Sequence, residues 1–206
     1  MKPEVYLNKL KRLLSLADAG LVYSPNPYDL ERFEEMKEIC LEMLADDKEI
    51  PDDLRALFPK REFYPTPQVD IRGMVLNEEK HVLLVKESAD NRWALPGGWG
   101  DIGFAPSEVI VKEIKEETGL DAKAERLLAV FDKRCHPHPP QPFYVYKFLF
   151  HCTVVKGEIN QSHDIMDVGF FPIDNLPEIS VDRILTSQIE LGYHKIMEDD
   201  LTTYCD

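Results

Sequence analysis

The sequence predicts an α/β sandwich with a mixed sheet, preceded by a small all-helical unit. Three observations lead there. Apolar residues recur at helical spacing through residues 1–60. From Val69 onward they fall into short runs between turn residues, the pattern of strands. A helix interrupts those strands between Gly98 and Gly119 and another follows them, so strands stand on both sides of a central helix.

Taken in order, Val5, Leu7, Leu10, Leu13, Leu14 and Ala17 give an amphipathic helix ending near Gly20. Ser24-Pro25-Asn26-Pro27 is a loop. Leu30, Phe33, Met36, Cys40, Met43 and Leu44 form a second helix to about Asp46, and Pro51-Asp52-Asp53 starts a short third one that Pro59 stops. A unit this small, residues 1–62, cannot hide all its apolar surface within itself. It is expected to serve as a dimerisation element or a lid, with a two-fold homodimer as the default assembly. An accessory layer packed on the main domain is the plainer alternative.

Pro65 and Pro67 mark a linker, and the main domain spans residues 66–206. Residues 69–75 and 81–85, joined by a polar turn, read as a hairpin. Residues 93–96 form a short strand that Pro96-Gly97-Gly98 stops. Ala105-Pro106 opens the central helix, since Pro is tolerated in a first turn, and Gly119 closes it. Strands follow at 127–131 and 144–155, on either side of a proline-stiffened loop at 132–142. A last strand at 168–171 leads through a turn to a helix over about 182–197.

The chain has 206 residues, enough for one domain with a small accessory unit. Its net charge of −14 argues against non-specific binding to nucleic acid or an anionic membrane. No apolar run reaches membrane-spanning length, and the N-terminus lacks the apolar region of a signal peptide. Cys40, Cys135, Cys152 and Cys205 have no ligand-like spacing. They read as free thiols, and the expected location is the cytoplasm.

The central helix carries the chemistry. At about 100° per residue, Glu113, Glu116 and Glu117 fall within an arc of about 100°, beside the core-facing Ile110, Val111 and Ile114. Like charges at this spacing destabilise a helix. A hard divalent cation offsets that repulsion, because Mg²⁺ takes oxygen ligands and bridges substrate phosphates. A solvated acidic face is the alternative.

Residues 97–120, GGWGDIGFAPSEVIVKEIKEETGL, resemble the Nudix box, G-x5-E-x7-R-E-U-x-E-E-x-G-U, where U is aliphatic. Gly98, Glu113, Ile114, Glu116, Glu117, Gly119 and Leu120 match it. Phe104 stands where the box has Glu, and Lys112 where it has Arg. The resemblance implies a Nudix-type fold over about residues 66–200. It implies Mg²⁺- or Mn²⁺-dependent hydrolysis of a nucleoside diphosphate linked to another moiety, of the ADP-ribose or CDP-choline type. Glu113, Glu116 and Glu117, with the carbonyl of Gly98, are the implied metal ligands. A 5′-end or 3′-end RNA-processing enzyme is a second reading, disfavoured by the acidic charge, and a non-catalytic Nudix-like binding domain is a third.

Outside the box, the polar segment 158–167 holds Glu158, His163, Asp164 and Asp167. In relatives this region often supplies the general base, and Asp164 is the candidate taken here, beside the reading of a solvated loop. Asp101 is a further metal-site candidate. In the 132–142 loop Arg134 is expected to hold a phosphate, with His136 beside it, and Tyr144 to stack a base; Phe143 and Tyr146 are alternatives. Lys112 lies four residues before Glu116 and supports it more loosely than Arg would. Phe104 is expected to pack on the domain and fix the loop that presents Gly98. Phe104→Glu would then cost roughly 1–3 kcal/mol.

Overall fold

A computed structural model describes residues 3–45, 50–59, 62–160 and 165–206. The chain divides into two compact units, Met1–Pro67 with Pro140–Tyr144, and Gln68–Pro139 with Val145–Asp206.

In the first unit lie α1 (Pro3–Tyr23), α2 (Pro27–Ala45) and the short α3 (Asp52–Ala56). Leu10, Leu14, Cys40, Leu41 and Phe58 form its core. The buried Lys37 ammonium pairs with Asp18 at 2.8 Å and donates to the Pro59 carbonyl at 3.2 Å, so its charge is sequestered with partners. Both long helices carry a second apolar stripe. Val5, Leu13 and Leu16 on α1, and Met36, Ile39 and Met43 on α2, are 37% to 48% exposed. At about 100° per residue each trio covers an arc narrower than about 90°, away from the buried residues of its own helix.

The second unit holds two sheets. The larger has the order β4 (Gly97–Trp99), β1 (Gln68–Val75), β6 (Val145–Lys156), β5 (Asp121–Asp132), β8 (Tyr204–Cys205). The smaller has β3 (Trp93–Ala94), β2 (Val82–Glu87) and β7 (Ile165–Phe171). The sheets are mixed, because β1 runs parallel to β6 and antiparallel to β4. Two helices complete the unit, α4 (Pro106–Thr118) and α5 (Thr186–Met197).

Successive β1 residues face opposite cores. Ile71 and Val75 pack with Val109, Ile110 and Ile114 of α4. Met74 packs with Phe131, Leu149 and Ile189 of α5. Gly73 lets α4 come close, since a Cβ there would stand 2.8 Å from the Ile110 side chain. The Glu108 carboxylate accepts from the Ala105 N–H at 2.7 Å at the start of α4, and Gly119 ends it at φ 78°.

Three sequence expectations change here. β1 and β2 are joined by a turn that Asn77 and His81 close and by the single bridge Leu76–Val82, and then enter different sheets, so they are not a laddered hairpin. Eight parallel pairs with β6, far along the chain, outweigh the local turn. Gly97 and Gly98 do not merely stop a strand but form one, β4, against β1. The last helix begins at Thr186, four residues later than expected, after a turn in which Ser180 accepts from Arg183 and Ile184. All four cysteines are free, Cys40 and Cys152 buried, Cys135 and Cys205 exposed. Among the described residues no helix is long and apolar enough to cross a membrane.

Candidate active site

The site forms where the β4 turn meets the last two turns of α4. Gly97 is at φ 139°, and a Cβ there would lie 2.0 Å from the Ile71 carbonyl, so only glycine fits. Its N–H donates to Glu117 Oε2 at 2.9 Å. A Cβ on Gly98 would lie 2.9 Å from Glu113 Oε1, so the missing side chain is what lets that carboxylate rest against the backbone. Glu113 and Glu117 thus converge on two consecutive glycines from positions one helical turn apart.

Burial pushes the Glu117 carboxyl up to about 8, against the opposing pull of Arg72 and the Gly97 N–H. Burial also raises Glu113, with Lys112 opposing. Glu116 is more exposed and is drawn to Lys112, 3.4 Å away. The same ammonium donates to Asp101 at 3.1 Å, so Lys112 ties the loop to the helix. As the side chains stand, no three His, Cys, Asp or Glu among the described residues form a ready-made cation cluster. The donor chemistry nevertheless fits a hard cation. Glu113 and Glu117 are oxygen donors whose burial penalises the negative charge, and a divalent cation would offset it.

Behind the glycines lies a buried charge network absent from the sequence reading. The Arg72 guanidinium is 1% exposed and donates to Asp70 through Nε at 3.1 Å and Nη2 at 2.9 Å. Its Nη1 donates to the Leu95 carbonyl at 3.1 Å and lies 3.8 Å from Glu87. Lys147 donates to Asp70 and to the Arg183 carbonyl. Burial would raise Asp70, but Arg72 and Lys147 hold it at about 2. The signal was present as Asp70 and Arg72 at alternate positions of a strand whose remaining residues after Gln68 are apolar, which puts both on one face.

The other candidates are more scattered. Arg134 forms an ion pair with Asp132 at 2.6 Å. His136 Nε2 lies 2.8 Å from Asp206, which also accepts from the Asp132 N–H and the Tyr204 hydroxyl. Tyr144 belongs to the helical unit, where the Lys11 ammonium stands 4.6 Å over its ring. The 158–167 segment begins at the C-terminal end of α4, where Asn160 N–H donates to the Thr118 carbonyl at 2.9 Å. His163 and Asp164 lie outside the described residues.

Phe104 does not pack as expected. It is 52% exposed and Ile102 is fully exposed, because their turn projects from the domain. Gly103 has nothing within 4 Å of where its Cβ would be. The expected cost of Phe104→Glu therefore falls to the surface range, within ~0.5 kcal/mol.

Comparison with known proteins adds to this geometry. A family model described as the NUDIX domain matches residues 66–189. Another, described as a UDP-X-like, N-terminal oligomerisation domain, matches residues 5–58. A Bacillus subtilis (strain 168) protein, YjhB, provisionally named an ADP-ribose pyrophosphatase, is 40% identical over 203 residues, covering 98% of this chain and 97% of its own. The ADP-ribose pyrophosphatase of Methanocaldococcus jannaschii is 32% identical over 60% of this chain and 73% of its own. The crystal structure of a UDP-X diphosphatase matches with a TM-score of 0.64 at 36% identity, covering all of both chains. That of an ADP-ribose pyrophosphatase from Streptococcus suis 89-1591 matches with a TM-score of 0.59 at 31% identity, covering 68% of this chain and 100% of its own.

Proposed function

The chain belongs to the Nudix family, and from that membership we propose that it hydrolyses the diphosphate of a nucleoside diphosphate linked to a second moiety, releasing a nucleoside monophosphate. ADP-ribose and UDP-linked compounds head the substrate class, because the relatives named above carry those activities in their names. CDP-choline belongs to the same chemical class. The observation that carries the reading is the convergence of Glu113 and Glu117 on the Gly97-Gly98 turn.

Nudix hydrolases use divalent metal ions. We assign Mg²⁺ or Mn²⁺ here, with Glu113, Glu116, Glu117 and the Gly98 carbonyl as its ligands. Such a cation, when bound, screens the diphosphate charge and makes water a better nucleophile. The protein's own part is positioning and electrostatics. Gly97 N–H fixes the Glu117 carboxylate, and Lys112 holds the Asp101 loop against α4. Arg134 and His136, each held by a carboxylate, are the proposed substrate contacts. Tyr144 takes no part in this proposal. Asp164 is the residue to test as general base, since its segment starts beside the end of α4.

We further assign a homodimer built on the exposed stripes of α1 and α2, in accord with the oligomerisation description of the matching model. A cytoplasmic location accords with four unbonded thiols.

The test is a substrate panel of ADP-ribose, CDP-choline, a UDP-linked sugar and a short 5′-triphosphate RNA, each incubated with the full chain and Mg²⁺. Nucleoside monophosphate should appear from at least one linked diphosphate, and the RNA should stay intact. Processing of the RNA alone would favour the RNA reading, and inertness towards all four would favour a binding domain.

A further inference from the structure

We infer that Arg72 is a positioning residue for this reaction: it locks the 95–98 turn where that turn meets Glu113 and Glu117. The inference rests on the pyrophosphohydrolase reading above. Arg72 is too deeply buried to touch substrate, so whatever it does for turnover it does through other groups.

Four ties from β1 hold the turn, and two come from Arg72. Its backbone is the ladder partner of Gly97, while Ile71 is the partner of Gly98. Its side chain donates to the Leu95 carbonyl, two residues before Gly97. Between them, Gly73 N–H donates to the Pro96 carbonyl at 2.9 Å. The tie to Leu95 depends on orientation. Asp70 takes the Nε and Nη2 edge of the guanidinium, which leaves Nη1 directed at the carbonyl. The planar fork holds the two acceptors on fixed, separate edges. A lysine would keep the charge but is a single point donor on a flexible stem, so it cannot fix the carbonyl against the carboxylate in the same geometry.

Lys147 separates this role from simple stabilisation. It shares Asp70 with Arg72 and is as thoroughly buried, but its other bond goes to the Arg183 carbonyl. It has no hydrogen bond to the 95–98 turn. Were the network only a stability device, loss of either cation would act alike.

The experiment compares Arg72→Lys, Lys147→Met and wild type as full chains. Four quantities are measured: melting temperature, Mn²⁺ affinity by calorimetric titration without substrate, and kcat and KM, the last two well below the lowest melting point. Arg72→Lys should weaken Mn²⁺ binding at least tenfold and lower kcat at least tenfold, with KM within threefold of wild type. Lys147→Met should lower the melting temperature but keep Mn²⁺ affinity and kcat within twofold. Mn²⁺ affinity and kcat unchanged in Arg72→Lys would overturn the inference. So would equal losses in Lys147→Met. Should Arg72→Lys fail to fold, Arg72→Gln removes the guanidinium while Asp70 keeps Lys147 and Glu87 keeps Arg183, so no buried ion is orphaned. It must show the same loss of Mn²⁺ affinity. If wild type turns over no substrate, the pyrophosphohydrolase reading falls, and the Mn²⁺ titration still decides the role of Arg72.

Discussion

Glu117 sits in surroundings that favour its neutral form, and this has a pH-dependent consequence. Its ordinary value is 4.5, and burial takes it to about 8. Between those values the folded, cation-free protein holds a proton that the unfolded chain has released. The group therefore favours the fold fully below about pH 4.5, and that contribution is lost as pH rises towards 8. Glu117→Gln never ionises and escapes the loss. Its stability relative to wild type should climb across that window by up to ~5 kcal/mol. Urea unfolding in chelator at several pH values measures this, and a difference that stays flat with pH contradicts it. Asp70 shows the opposite sign. Arg72 and Lys147 stabilise its charged form, so its contribution is present above its ordinary 3.8 and is lost as pH falls towards 2.

At the scale of elements, the β4 turn and α4 form one device whose two glycines have different duties. Gly97 answers to the backbone and Gly98 to the Glu113 carboxylate. Gly97→Ala should unfold or severely destabilise the unit. Gly98→Ala meets only the far end of a flexible side chain, so it should cost less than ~1.5 kcal/mol while displacing Glu113 and reducing turnover. Thermal melts and nucleotide release together check this; a Gly98→Ala variant with full turnover would show that Glu113 need not rest there. Much of this device was legible in the sequence. The pattern of Gly98, Glu113, Glu116 and Glu117 marked the helix and its acidic face before any fold was known. What stayed hidden was non-local. The pairing of β1 with β6 spans more than seventy residues and leaves no local signature, so β1 and β2 looked like a hairpin. Strand β8 is two residues long, too short for periodicity. Asp70 and Arg72 alternate on one face of β1, but that spacing alone does not separate a buried ion pair from a solvated polar face; only the distant Lys147 and Leu95 make the difference.

For the molecule as a whole, assembly and activity are separate claims. The stripes of α1 and α2 expose apolar side chains that the core of their own unit does not use. A charge at the centre of such a stripe should oppose burial against a second copy. Ile39→Glu with Met36→Glu should shift the protein from dimer to monomer in light scattering at micromolar concentration and leave the folded helices intact by circular dichroism. A wild type that is already monomeric, or a variant that stays dimeric, would refute this interface. Activity rests on Glu117, the carboxylate that the glycine turn, α4 and the Arg72 network all surround. The most direct measurement is nucleoside monophosphate release by wild type and Glu117→Gln, both confirmed as folded, on the best linked diphosphate at saturating Mg²⁺. The account predicts a fall of ~100-fold or more, about 2.7 kcal/mol of barrier. Turnover in Glu117→Gln equal to that of wild type would contradict it.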